Sequence, residues 1–183
     1  MRETAAAPML LIDFVNTLDV ETDTDAIASP QQLQAWLAAH DLLGPLGQPP
    51  GTSDVTAAQV LREGLRMLLL RNNGCAVEAG TMERLNTLLS ELPLRLTVEP
   101  SGELALRSLS VGSRLGLGRI LAITAEVMHQ PQWARLKACR NPGCQFAFYD
   151  QSRNLSHRWC SMQVCGNRVK ARRYRDRSRQ PSP

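Results

Sequence analysis

Three features of the sequence predict an α+β fold in two domains. Apolar residues recur at helical spacing through most of the first 130 residues, which indicates a mostly helical N-terminal domain. Between residues 95 and 107, polar and apolar residues alternate around a Glu-Pro-Ser-Gly turn, which indicates a β-hairpin. Four cysteines then lie in two close pairs, followed by a basic run. We therefore expect a mainly helical domain over residues 1–132 and a small cysteine-rich domain with a basic helix over residues 133–183.

The composition bounds the class of protein. The chain has 183 residues, of which 43% are hydrophobic and 4% aromatic, as is typical of a soluble globular protein with an aliphatic core. Its net charge of +4 conceals an asymmetry. Residues 134–183 hold twelve Lys or Arg and two Asp or Glu, for +10, whereas residues 1–133 hold nine and fifteen, for −6. A basic segment on an acidic body indicates a polyanionic partner.

The sequence shows no sign of a membrane or secretory segment. No stretch approaches the roughly 20 apolar residues that a membrane span requires. The early run Met9-Leu10-Leu11-Ile12 is broken by Asp13, so it is too short for the apolar core of a signal peptide. We therefore expect a cytoplasmic protein, in which cysteines remain reduced.

The first predicted helix carries an apolar face made of Leu11, Phe14, Val15 and Leu18. Asp13, Asn16 and Thr17 project from the rest of this helix, although Asn and Thr are poor residues for a helix interior. Two interpretations remain open. These three side chains form a small-ligand or sensor site, or they belong to a buried hydrogen-bond network that holds a neighbouring loop.

The remaining elements of the first domain follow in order. Residues 19–25 are predicted to form a loop, and Ser29-Pro30 begins a helix with Ser as its N-cap. After a Gly- and Pro-rich loop over residues 44–51, a capping box at 56–59 starts a helix that Asn73-Gly74 ends. Another helix begins near Thr81. The hairpin is expected to bury one face. A long helix is expected over residues 114–129, where Gly116 and Gly118 allow either close packing or the helix entry.

The cysteines of the second domain follow the pattern C-x4-C, x15, C-x4-C: Cys139, Cys144, Cys160 and Cys165. Two close thiol pairs separated by a hairpin-length spacer suit tetrahedral Zn2+, and four protein ligands would make the zinc structural. Two disulfides, an iron–sulfur cluster and a thiol redox relay remain alternatives. Cys75 is interpreted as an ordinary free thiol.

We expect a strand over 136–138, a hairpin between 145–149 and 158–159 with the thiol pairs at its open ends, and a helix from Ser161 or Gly166 to about Arg177. This combination of knuckle, hairpin and helix resembles a treble-clef finger. A finger of roughly forty residues would draw much of its folding free energy from the metal.

The same residues resemble a known family. Cys165-Gly166-Asn167-Arg168 matches the signature of the CGNR zinc finger, as do Phe148-Tyr149-Asp150, Ser152, Arg153, the step Arg158-Trp159-Cys160-Ser161, and Lys170. The segment 11–18 resembles the opening motif of ABATE, a domain described as a "putative stress-induced transcription regulator" that usually precedes this finger. The resemblance implies zinc binding and a DNA-binding role.

The last predicted helix is strongly basic. Like charges at i, i+4 repel one another by roughly 0.2–0.5 kcal/mol per pair, and phosphates would relieve that repulsion. The candidate nucleic-acid contacts are Arg153, Arg158, Arg168, Lys170, Arg172, Arg173, Arg175 and Arg177. The alternatives are a solvated basic tail, a helix docked on the acidic body, or a structural role for Arg168 and Asn167 near the zinc loop.

We therefore expect a transcription regulator whose four-cysteine zinc finger binds DNA and whose N-terminal domain senses a ligand or forms a homodimer. The alternative is an interaction module that binds RNA or an acidic protein partner. An enzyme is not expected, because the sequence offers no nucleophile–base pair and no metal site with an open position.

Overall fold

A computed structural model describes residues 3–44 and 48–179, with the side chains of residues 6–44, 48–172 and 175. In chain order the elements are α1 (Glu3–Val15), β1 (Leu18–Asp19), β2 (Thr24–Asp25), α2 (Pro30–Ala39), α3 (Thr52–Asn72), α4 (Ala79–Ser90), β3 (Leu94–Val98), β4 (Leu104–Ser108), α5 (Arg114–Met128), β5 (Leu136–Ala138), β6 (Ala147–Tyr149) and α6 (Asn167–Arg179). The strands form three antiparallel two-stranded sheets, β1–β2, β3–β4 and β5–β6. The α+β fold class predicted from the sequence is confirmed. No helix in the described ranges is long and apolar enough to cross a membrane.

Helix α3 is the centre of the fold, because it packs against α1, α2, α4, α5 and β5. Its Leu61 is fully buried, as are Phe14 of α1, Leu37 of α2, Leu117 of α5 and Leu136 of β5. Burial of each such side chain contributes about 1.5–3 kcal/mol. The strand that leads to the first cysteine therefore shares one core with the N-terminal helices.

Several helix boundaries follow the predicted signals. Ser29 is the N-cap of α2, and its hydroxyl accepts a hydrogen bond from the Gln32 N–H. Gly74 follows α3 with φ of +75°, a conformation that glycine adopts without strain. The start of α3 was predicted wrongly at residues 56–59. It begins at Thr52, where the Asp54 carboxylate accepts a hydrogen bond from the Gly51 N–H at 2.8 Å.

The predicted close approach at α5 is confirmed. A Cβ atom on Gly116 would lie 2.8 Å from a methyl group of Leu37, and one on Gly118 would lie 2.8 Å from the Cβ of Ser108. Both distances are far below van der Waals contact, so only glycine lets α5 lie this close to α2 and β4.

The first helix lies earlier in the chain than its apolar pattern predicted. Helix α1 ends at Val15, so Asn16 and Thr17 follow it, and Leu18 begins β1. The Thr17 hydroxyl donates to the Phe14 carbonyl at 2.8 Å and so satisfies an acceptor in the last turn of the helix. Residues 19–25, predicted as a loop, include the short β1–β2 hairpin, in which Asp19 pairs with Thr24.

The β3–β4 hairpin forms where the sequence predicts it. The sequence also predicts that one face of the hairpin is buried, but none of the described residues of the two strands is buried. Leu96, Val98 and Leu104 are 59%, 69% and 66% exposed. They share one face, because Leu96 pairs with Leu106 and Val98 with Leu104. Alternation shows that a strand has two chemically different faces, but it does not show that another element covers the apolar one.

The hairpin of the second domain has different partners from those predicted. β5 pairs with β6, with Leu136 opposite Tyr149 and Ala138 opposite Ala147, whereas residues 158–159 belong to no strand. Leu136, Ala138 and Ala147 are all buried, and Arg158 is exposed. Pairing with β5 therefore places Ala147 of β6 in the core beside Leu136 and Ala138.

A buried arginine on α3 joins distant parts of the chain. The Arg66 guanidinium donates to the carbonyls of Val15 at 2.8 Å and Leu18 at 3.3 Å. It also donates to the Gln145 carbonyl at 2.9 Å and to the Glu63 carboxylate at 3.0 Å. Since the side chain is 2% exposed, its charge is stabilised by these four acceptors in place of water.

We expect Arg66→Met to lower the free energy of unfolding by about 3 kcal/mol or more, because it leaves buried carbonyls without a donor. Urea unfolding measures the change. Arg71→Met, on the exposed side of the same helix, is the matched control and is expected to shift stability by less than about 0.5 kcal/mol. Equal unfolding midpoints for the two variants would contradict the proposed role of Arg66.

Candidate metal centre and basic helix

The four cysteines of the second domain lie together in space. The sulfur atoms of Cys139, Cys144, Cys160 and Cys165 are all within 4.8 Å of one another. Cys144 Sγ is 3.6 Å from Cys160 Sγ, which is 3.7 Å from Cys165 Sγ. Zinc–sulfur bonds of about 2.3 Å in a tetrahedron place the sulfurs about 3.8 Å apart, so the cluster has the size that Zn2+ requires. Disulfide bonds, at about 2.05 Å, are not present among these free thiols.

The first thiol pair is positioned by the β5–β6 connection. Cys139 follows β5 directly, and its N–H donates to the Phe146 carbonyl at 2.9 Å. The chain then turns at Asn141, whose carbonyl accepts hydrogen bonds from Cys144 and Gln145. Gln145 has φ of +51°, an unfavourable region for a residue with a Cβ. The hydrogen bond from Arg66 to the Gln145 carbonyl holds this conformation, so α3 fixes the backbone beside Cys144.

The second thiol pair lies in a tight helical turn. The Ser161 hydroxyl accepts a hydrogen bond from the Val164 N–H and caps a π-helical turn over Met162–Gly166. A Cβ on Gly166 would meet the Met162 sulfur and lie 3.1 Å from the Trp159 ring, so a larger residue here would require these side chains to shift. The Asn167 side chain donates to the Gln163 carbonyl at 2.9 Å, a contact of the kind that a structural role near the zinc loop requires. This turn places Cys165 immediately before α6.

The thiols are in different electrostatic environments. Burial raises the pKa of Cys144 to about 11, and the neighbouring Cys139 adds to that rise. Burial also raises the pKa of Cys160. Burial opposes ionisation of Cys165 as well, but hydrogen bonds, first that from Asn141 Nδ2 at 3.6 Å, hold its pKa below the ordinary value. A divalent cation would offset the repulsion among these clustered thiolates.

A buried ion pair stabilises the loop between the two thiol pairs. The Lys137 ammonium lies 2.7 Å from the Asp150 carboxylate, and their side chains are 5% and 0% exposed. Asp150 also accepts hydrogen bonds from the N–H groups of Ser152 and His157 and from the Ser152 hydroxyl. Burial by itself would raise the pKa of Asp150, but Lys137 and Ser152 hold it below the usual range. Asp150 and Ser152, two of the residues that resemble the CGNR zinc finger, thus stabilise the loop that leads to Cys160.

The end of α3 forms a second contact with the cysteine loops. Asn72 donates to the carbonyls of Trp133 and Leu136, and Asn73 to those of Ala138 and Arg158, all between 2.8 and 3.0 Å. Each side-chain amide thus satisfies two backbone acceptors. Since Ala138 precedes Cys139 and Arg158 lies two residues before Cys160, this contact orients both thiol pairs.

The three residues predicted as a ligand site separate in the structure. The Asn16 amide donates to the Ala147 carbonyl at 3.0 Å and accepts from the Ala147 N–H at 2.7 Å. Thr17 is buried and accepts a hydrogen bond from Arg62 at 3.2 Å. Asp13 is exposed and lines a cavity of about 1120 Å3. The contacts of Asn16 and Thr17 correspond to the alternative of a structural hydrogen-bond network.

The predicted nucleic-acid contacts are mostly exposed. Arg168, Lys170, Arg172 and Arg175 project from α6, and Arg153 and Arg158 project from the preceding loop. The side chains of Arg173 and Arg177 lie outside those that the structure describes. Arg168 pairs with Glu21 of the β1–β2 turn at 2.7 Å, rather than with backbone carbonyls near the zinc loop.

Sequence reasoning missed the buried Arg62 and Arg66, of which Arg66 holds the backbone beside Cys144, and it missed Asn72, Asn73 and Lys137, whose side chains hold the cysteine loops. One signal was available for the first two. Arg62 and Arg66 are spaced i, i+4 and therefore lie on one side of the helix beside the apolar stripe of Leu61 and Leu65, where their alkyl stems can pack along apolar surface.

We expect Cys165→Ser to reduce bound zinc from one ion per chain to nearly none and to lower the Tm, because it removes a thiolate from a four-ligand site. Elemental analysis of the purified protein measures the zinc. Cys75→Ser is the control, since Cys75 lies outside the cluster, and it is expected to retain one zinc per chain. Full zinc occupancy in the Cys165→Ser protein would contradict this assignment of the ligands.

Comparison with protein-family models gives two matches along the chain. The model of the CGNR zinc finger matches residues 135–178. The ABATE model, described as "Putative stress-induced transcription regulator", matches residues 9–131. Comparison with curated proteins finds no match. The finger match and the clustered thiols agree on structural zinc as the cofactor. The chain therefore belongs to the ABATE family and carries a C-terminal CGNR zinc finger.

Proposed function

We propose that this protein regulates transcription by binding duplex DNA through helix α6 of its zinc finger. The observation that carries the proposal is an exposed basic helix that begins two residues after the zinc ligand Cys165. Because the metal cluster and the α3 contacts fix the start of α6, its charges are held on a rigid support.

The arrangement of charges on α6 supports contact with a nucleic-acid backbone. Arg168, Arg172 and Arg175 are spaced i, i+4, i+7 and so lie along one side of the helix. The helix has 13 residues and is therefore about 20 Å long, a length that fits a major groove. Arg153 and Arg158 supply exposed cations from the loop before Cys160.

A carboxylate of the acidic N-terminal domain competes with phosphate for one arginine of α6. The β1–β2 hairpin and its turn contain Asp19, Glu21, Asp23 and Asp25 without any basic residue. Glu21 forms the 2.7 Å ion pair with Arg168, and both side chains are about half exposed. A phosphate group that binds Arg168 therefore has to displace a carboxylate.

Ligand sensing is the second part of the proposal, and the cavity beside Asp13 supports it. The cavity lies among α1, the end of α2, the β3–β4 hairpin and α5. Its wall combines apolar groups such as Met9 and Ile123 with the carboxylates of Asp13 and Glu126. This mixture suits a small molecule with a cationic group. Asn16 and Thr17 face elsewhere, so the proposed site keeps only Asp13 of the three predicted residues.

The same basic surface fits RNA or an acidic protein as the alternative partner. Competition of unlabelled RNA and of an acidic protein against labelled duplex DNA distinguishes these partners. We also propose that the protein is not an enzyme and acts in the cytoplasm. A closed four-thiolate zinc site, which leaves no position for a substrate, supports the first of these statements.

We expect Arg172→Gln to weaken DNA binding and to reduce the slope of log affinity against log salt by about 0.9, because one phosphate contact is lost. Fluorescence anisotropy over a range of salt concentrations measures both effects. Arg84→Gln, which makes the same charge change on an exposed residue of α4, is the control and should leave the slope unchanged. If both variants lower the affinity equally, α6 is not the binding surface.

We expect Glu21→Gln to strengthen DNA binding about two- to fivefold at low salt, because Arg168 then has no carboxylate to exchange for phosphate. Asp23→Asn, the same charge change two residues away, is expected to have a smaller effect. In a protein that already carries Arg168→Gln, the effect of Glu21→Gln should disappear. An equal gain with and without Arg168 would show that the ion pair is not the cause.

A further inference from the structure

The β3–β4 hairpin exposes an apolar surface that nothing in the described chain covers. Leu96, Val98 and Leu104 lie on one face and are each more than half exposed. The charged residues of the hairpin are elsewhere, since Arg95 and Arg107 pair across the other face. Arg107 is also within 3.0 Å of Glu99. This face is therefore apolar and free of charge.

The outer edge of β3 is also open as far as the described residues are concerned. The Glu99 N–H donates to the Glu103 carbonyl, and the Leu109 N–H donates to the Pro93 carbonyl. These two bonds show which residues of β3 direct their backbone N–H and C=O groups toward β4. The odd-numbered residues of β3 therefore bond to β4, and the backbone groups of Leu94, Leu96 and Val98 point away from it. On the opposite edge, the outward Leu106 N–H donates to the Glu126 carboxylate of α5 at 3.2 Å. α5 thus occupies the β4 edge, and the β3 edge is left to a strand from another molecule.

We propose that β3 pairs with β3 of a second copy of this chain, antiparallel and centred on Leu96, to form a four-stranded sheet. In this register Leu96 lies opposite Leu96 of the second copy, and Leu94 lies opposite Val98. Arg95 lies opposite Thr97, so the pairing brings no like charges together. The strand is therefore complementary to itself about a two-fold axis, as a symmetric dimer requires.

This pairing identifies a surface for the homodimer that the sequence leads us to expect, and it rests on the proposed function only for its biological meaning. It would place two zinc fingers in one particle, so that a DNA site with two-fold symmetry could be bound. One strand and a few side chains from each copy form a contact smaller than the roughly 1,600 Å2 of a standard interface. The dimer is therefore expected to dissociate on dilution.

Variants that introduce opposite charges at residue 96 test the register of the proposed strand pairing. Sedimentation equilibrium without DNA, over protein concentrations from about 1 to 300 μM, should show a monomer–dimer equilibrium for the unmodified chain. Leu96→Lys and Leu96→Glu should each be monomeric, because the two-fold axis places like charges opposite each other. An equimolar mixture of the two should form a heterodimer. Val111→Lys is the control, since Val111 is 83% exposed and lies outside both strands.

A monomeric unmodified chain at every concentration would overturn the proposal, and so would unchanged dimerisation of the Leu96→Lys protein. Failure of the Lys and Glu variants to associate when mixed would overturn the register centred on Leu96. Because these measurements contain no DNA, a dimer that lacks DNA affinity would contradict the proposed function alone. A monomer that binds DNA would contradict the dimer alone.

Discussion

The hydrogen bonds of the Arg66 guanidinium are the interaction on which most of the structure depends. They join the end of α1, the start of β1 and the backbone beside Cys144, which are far apart in sequence. Removing a cation from water is costly, and the cost is offset here because carbonyl oxygens and Glu63 replace the lost solvation. One side chain thus couples the helical core to the shape of the metal loop.

This coupling makes the zinc finger part of the core rather than an appendage. β5 and β6 are buried against α3 and α1, and the amides of Asn72 and Asn73 hold the carbonyls that precede the thiol pairs. An isolated finger of this size depends on its metal for folding, because its core is small. Here the helical core also supports the finger, so the cysteines are brought together by packing as well as by metal coordination.

The distribution of charge follows from the same arrangement. Docking the finger on the body brings the acidic β1–β2 turn within reach of α6, and Glu21 pairs with Arg168. An exposed pair of this kind contributes at most about 1 kcal/mol and weakens with salt. A phosphate group can therefore displace it readily, and the other α6 cations whose side chains the structure describes, Lys170, Arg172 and Arg175, are exposed to solvent.

The sequence by itself determined the features that depend on local chemistry. These are the α+β class, the helix signals at Ser29 and Gly74, the grouping of Cys139, Cys144, Cys160 and Cys165, and the basic helix that follows them. Spacing and capping encode such features within a few residues. Only the tertiary structure decided that β5 pairs with β6, that Asn16 binds the finger backbone, that Arg66 is buried and that one face of β3–β4 is left uncovered. These outcomes depend on contacts between residues distant in sequence, and an alternating or helical pattern does not identify its partner.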